Sequence, residues 1–87
     1  DRDEWVRNMA VEVLAKIGGE ETIEPLTWAL REDPDPFVRY KALVSLAEIG
    51  GDRMMGPLLQ SLNDPDELIW AKAEEILQIQ GGGGREQ

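Results

Sequence analysis

A chain of 87 residues is long enough for one domain, and a domain of that size hides only about 60–65 per cent of its unfolded surface. Nine Lys and Arg against eighteen Asp and Glu leave a formal charge of −9, the wrong sign for gripping a polyanion, so neither nucleic acid nor an anionic membrane is expected as a partner. Cysteine and histidine are both absent, which removes disulfides, thiolate nucleophiles and the commonest general base, and fits a reducing, cytoplasmic setting.

The first predicted element is an amphipathic helix over residues 3–17. Val6, Met9 or Ala10, Val13, Leu14 and Ile17 recur at three- and four-residue steps, and Asp3 stands where it can accept amide hydrogens at the helix start. Gly18 and Gly19 end it, because glycine enters the left-handed conformation of a helix stop without steric cost. A second, shorter helix is expected over residues 20–31. Ile23, Leu26, Ala29 and Leu30 form its inner side, Glu24, Trp28 and Arg31 face elsewhere, and Pro25 loosens the first turn.

Residues 32–36, Glu-Asp-Pro-Asp-Pro, stop that helix and start another, with Asp35 as N-cap and Pro36 as first helical residue. The third helix runs to Ile49 and buries Val38, Ala42, Ser45 or Leu46, and Ile49. Gly50 and Gly51 repeat the earlier stop. Asp52 is expected to cap a fourth helix over residues 53–62, with Met55, Leu58, Leu59 and Leu62 as its apolar set and Gly56-Pro57 weakening its start. Asn63-Asp64-Pro65-Asp66 is the next restart, and a fifth helix is expected from residue 65 or 66 to residue 79 or 80, with Leu68, Ile69, Ala73, Ile76, Leu77 and Ile79 apolar. Residues 81–87 open with four glycines, have nothing to bury, and read as a flexible tail.

The elements repeat. A shift of 32 positions superposes Val6, Arg7, Ala10, Leu14, Ala15, Ile17, Gly18 and Gly19 on Val38, Arg39, Ala42, Leu46, Ala47, Ile49, Gly50 and Gly51. Pro25, Leu26 and Leu30 fall on Pro57, Leu58 and Leu62. Side chains returning at a fixed interval of this length imply stacked units, each burying its apolar flank against the next. The expected fold is all-α, a solenoid of about two and a half helical hairpins with units at residues 3–33, 34–64 and 65–80. Small residues at Ala10, Ala42 and Ala73 suit close helix approach, and Leu14, Leu46 and Leu77 form a ladder through the core.

The motif D-P-x-V-R-x-x-A-x-x-x-L-x-x-I-G-G-D over residues 35–52, followed by P-L-x-x-x-L over residues 57–62, resembles the short HEAT-like repeats of the phycocyanobilin lyases. The resemblance covers residues 3–80 and implies an α-solenoid whose second helices line a concave face. Carried over, that face presents Glu24, Thr27, Trp28 and Arg31 from the first unit and Leu59, Gln60 and Asn63 from the second. Relatives of this kind include bilin lyase subunits, metal-dependent hydroxylases of a modified lysine, and scaffolds, so the resemblance implies protein recognition more directly than any reaction.

Two departures stand out. The Val-Arg pair at Val6-Arg7 and Val38-Arg39, whose arginine is expected to reach an acidic turn of a neighbouring unit, becomes Ile69-Trp70 in the third unit. Glu74 and Glu75 also stand where the second unit has Leu43 and Val44, as the polar outer face of a terminal cap requires. The last unit is accordingly expected to end an array, with further units preceding Asp1.

The acidic clusters at Glu32, Asp33 and Asp35 and at Asp64, Asp66 and Glu67 lack the glycine and bidentate glutamate of a calcium loop and read as helix caps. No metal or other cofactor is expected. Glu20, Glu21 and Glu24 read as a solvated first turn that also suits a basic partner. Met54 and Met55 read as packing, as do Trp5 and Trp70. Trp28 is balanced between folding over its hairpin and acting as a binding anchor. The hydroxyls and carboxylates are scattered without a base-nucleophile spacing, and the His-Glu pairs of the hydroxylase relatives are missing, so no enzymatic activity is expected. The leading expectation is a scaffold module that holds a protein partner of basic or mixed character on its concave face. The alternative is a fragment or subunit of a bilin-lyase-like enzyme, and self-association through the exposed first hairpin is a further possibility.

Overall fold

A computed structural model describes residues 2–82, with side chains from residue 4 to residue 78. The described residues form five helices and no strand: α1 (Arg2–Ile17), α2 (Ile23–Glu32), α3 (Pro36–Ile49), α4 (Met55–Ser61) and α5 (Glu67–Gly82). Short 3₁₀ turns, Glu20–Thr22 and Asp52–Met54, lead into α2 and α4. Pro25 and Pro57 explain both turns. Each lacks the N–H that would close the first α-helical turn, so the chain enters those helices in the tighter geometry.

The glycine stops take the form their sequence implies. Gly18 and Gly50 have φ of 69° and 76°, and Gly51 reaches φ 89° with ψ 173°, a region open essentially to glycine alone. Gly19, its counterpart, has an ordinary φ of −89°. Gly51→Ala is therefore expected to cost about 1–3 kcal/mol of stability. Gly19→Ala asks only that the flexible Glu21 carboxylate move aside. Thermal melts of the two variants check this, and an equal loss in both would contradict the assignment.

The acidic turns are built twice on one plan. Before α3, Asp33 Oδ1 accepts from the Asp35 amide at 2.9 Å and Asp35 Oδ1 accepts from the Phe37 amide at 3.1 Å. Before α5, Asp64 Oδ1 accepts from the Asp66 amide at 2.9 Å and Asp66 Oδ1 from the Leu68 amide at 2.9 Å. The remaining oxygen of each leading aspartate takes the repeated arginine, Arg7 Nε to Asp33 Oδ2 at 2.7 Å and Arg39 Nε to Asp64 Oδ2 at 3.0 Å. Arg39 also donates to the Asp33 carbonyl at 2.9 Å, so one guanidinium ties two successive acidic turns together. Asp52, by contrast, caps nothing with its side chain. It is the first residue of its 3₁₀ turn, whose cap is Gly51.

At the acidic turn before α3, Asp35 meets Glu4 of α1. A hydrogen bond between the two carboxyl groups pushes Glu4 above the usual carboxylate range and draws Asp35 below it. Glu12 is held below its ordinary range by its hydrogen bond to Lys41, which joins α1 to α3 at the surface.

α3 is the central helix, touching every other one, and its most extensive contact is with α2 across the acidic turn. Val38, Ala42, Leu43, Ser45 and Leu46 are buried on it, against Leu26 and Leu30 of α2, Leu58 of α4, and Ile69 and Ala73 of α5 within one continuous core. Leu14 and Leu77, the outer members of the expected ladder, are partly buried at the two ends of that core.

Four further local expectations are corrected. On α1 the buried residue is Val11, whereas Val6, Met9, Val13 and Ile17 are exposed, because α1 packs on α3 and the described residues place no helix pair on its other side. On the short α4, Leu58 is buried, as is Met54 just before it, while Met55, Leu59 and Leu62 are exposed. Seven residues touched by α2, α3 and α5 leave one flank uncovered. Trp5 and Trp70 are also exposed rather than packed. Trp5 lies on the uncovered α1, and Trp70 stands at the register position of Arg39. α5 continues to Gly82, past the expected start of the tail. Expectations for the side chains of Asp3 and Ile79 and for residues 83–87 lie outside the described residues.

Candidate functional site

The second helices of the first two units, α2 and α4, lie side by side, and two shallow depressions open along them. One is lined by Ile23, Glu24, Thr27, Trp28 and Arg31 of α2 with Arg53 and Pro57 from the second unit. The other is lined by Leu30, Arg31 and Glu32 with Pro57, Gln60, Ser61 and Asn63 and the turn residues Asp64 and Pro65. Arg31 and Pro57 belong to both, so the depressions join into one groove.

Its shape follows from the local sequence. Leu26, Ala29 and Leu30 bury one side of α2, which at 3.6 residues per turn turns Glu24, Thr27, Trp28 and Arg31 outward together. On α4, burial of Leu58 and of Ser61, whose hydroxyl bonds back to the Pro57 carbonyl at 2.9 Å, leaves Gln60 outward. The ring of Pro57 presents a stiff apolar surface at the centre.

Six of the seven residues named from sequence thus line one groove: Glu24, Thr27, Trp28, Arg31, Gln60 and Asn63. Leu59 is exposed but lines neither depression. Sequence reasoning missed Arg53 and Pro57. The repeat carried a signal for the second, since Pro57 falls on Pro25. It carried none for Arg53, which falls on Glu21.

Trp28 is 62 % exposed, so its indole does not fold into the hairpin. Arg31 and Arg53 beside it form no ion pair with any described residue, although acidic residues outnumber basic ones two to one. Glu20, Glu21 and Glu24 form an acidic shelf on the far side of Arg53, with Pro25. The groove therefore offers an aromatic face, two uncommitted guanidiniums, an acidic margin and amide groups. These bind and orient a peptide by stacking, forked hydrogen bonds and charge. The acidic clusters at the inter-unit turns are otherwise engaged, with backbone amides and the repeated arginines, and among the described residues no group of three or more acidic side chains is placed to hold a metal ion. None of the helices there is long and apolar enough to cross a membrane.

A family model described as HEAT repeats matches residues 1–78. No curated protein and no solved structure matches the chain.

Proposed function

The chain belongs to the HEAT repeat family, and on that premise we propose that it is a non-catalytic binding module that holds a segment of a protein partner in the groove between α2 and α4. The observation that carries this reading is the exposed Trp28 flanked by two unpaired arginines in a strongly acidic chain. An indole left in water beside unpaired guanidiniums adds nothing to the core, and tryptophan and arginine dominate the energetics of protein interfaces. The partner segment is of mixed character. A carboxylate or backbone carbonyls meet Arg31 and Arg53, an apolar or proline side chain meets Trp28 and Pro57, and basic residues face Glu20, Glu21 and Glu24.

The test places a photo-crosslinking residue at Gln60 in the groove and, as control, at exposed Glu48 on α3. A partner captured from the groove position and lost on Trp28→Ala or Arg31→Ala is the expected result, each substitution weakening binding about 10- to 100-fold. Equal capture from Glu48, or capture indifferent to Trp28 and Arg31, contradicts it.

A further inference from the structure

The chain contains its own control for what the exposed side of α1 is built to do. Stepping α3 back by 32 residues places Val38, Ala42, Ser45, Leu46 and Ile49 on Val6, Ala10, Val13, Leu14 and Ile17. α3 is packed against the helix pair α1 and α2, and on this ridge Val38 is 0 % and Ser45 6 % exposed. In α1 the ridge is apolar throughout, yet Val6 is 54 % and Val13 52 % exposed, with Ile17, Met9 and Trp5 beside them. The helix type and the side chains match. What differs is the helix pair in front.

We propose that this ridge is the docking surface for a further two-helix unit of the same repeat kind, seated on α1 as α1 and α2 are seated on α3. The other end of the stack argues for that occupant over a second copy of the chain. A head-to-tail copy would present α5, which carries exposed Glu74 and Glu75 at the positions of Leu43 and Val44, and would press those carboxylates, of which Glu75 alone has an ion-pair partner in Lys72, against an apolar ridge that offers them none. Two ridges pressed head to head would bring together two chains of charge −9 through little more than one helix each. An apolar helix pair fits better, because α1 itself carries three basic and three acidic residues and offers no net repulsion. The interface is also continuous with one the molecule already makes, repeated one step further along.

Because the chain has no cysteine, Val13→Cys gives a single thiol on the ridge, and Ser45→Cys gives its covered equivalent. In the chain as it stands, Cys at 13 is expected to react with a maleimide about 100-fold faster than Cys at 45. The same Val13→Cys change is then made in a chain carrying a second copy of residues 3–34 inserted ahead of residue 3. There the inner thiol is expected to slow to the rate of Cys at 45 while the equivalent thiol in the added unit stays fast. Circular dichroism of the extended chain, showing helix gained in proportion to length, establishes that the added unit is folded. Equal reactivity of the two ridge thiols in that folded chain overturns the proposal. So does concentration-dependent protection of Cys at 13 in the unextended chain, which would give the ridge to a second copy.

Discussion

Arg39→Ala is expected to destabilise the fold by about 3–5 kcal/mol, the usual consequence of removing one partner of a buried ion pair. Its side chain is 13 % exposed and that of Asp64 is 9 %, so the loss leaves a carboxylate in a poorly hydrated site. Two forked bonds to Asp64, at 3.0 and 3.1 Å, and one to the Asp33 carbonyl go at the same time. A domain of this length has a total stability of about 4–13 kcal/mol, so much of the population is expected to unfold under mild denaturant. Arg39→Lys keeps the charge but not the planar fork, and recovers only a small part of the loss. Urea titrations of the three proteins check this. A shift in midpoint equivalent to under about 1 kcal/mol for Arg39→Ala would show that the guanidinium does not tie the turns together. Lys41→Ala is the contrasting case, since its pair with Glu12 is largely in solvent, and an effect within about 0.5 kcal/mol is expected.

Leu43→Ala is expected to cost about 2–5 kcal/mol. Leu43 is 0 % exposed at the centre of α3, in a core that draws on all five helices, so the surroundings can close little of the space left behind. The expected observation is a lowered melting temperature with a native-like helical signal below the transition. Leu43→Glu places in α3 the residue that α5 carries at the same register, Glu74. It is expected to prevent folding, because the same carboxylate that is solvated at the end of the stack has no water or donor in its middle. Retention of a cooperative melt within a few degrees of the parent by Leu43→Glu would mean that α3 is not the enclosed layer.

Much of this architecture was legible because the repeat reports on itself. Gly18, Gly50 and Gly51 mark stops through a backbone conformation that other residues avoid, and Asp35 with Pro36 marks a start through capping and a preset φ. The partner of the repeated arginine was legible in kind, since Arg7 and Arg39 each reach an acidic turn, although the carboxylate is that of the turn closing the arginine's own unit and only the Asp33 carbonyl bonded by Arg39 belongs to a neighbour. The groove was legible for the residues on α2, whose outward side follows from helical period once the inner side is known.

What escaped the sequence were the matters that depend on neighbours. Val6 and Val38 share a residue type, a register and a local sequence, yet one stands in water and the other is enclosed. Periodicity identifies an apolar ridge but does not supply the helices that cover it. Leu59, Leu62 and Trp70 were misplaced for the same reason, and Arg53 joins the groove across a turn whose sequence signal is only polar. The sequence by itself determined which five segments are helical, that glycine pairs and acidic proline turns separate them, and that the units stack, because caps, glycine stops and periodic burial act over a few residues. Only the tertiary structure decided which ridge is covered, which arginines find partners and which residues share the groove, because burial and charge pairing are set by the helices that arrive from elsewhere in the chain.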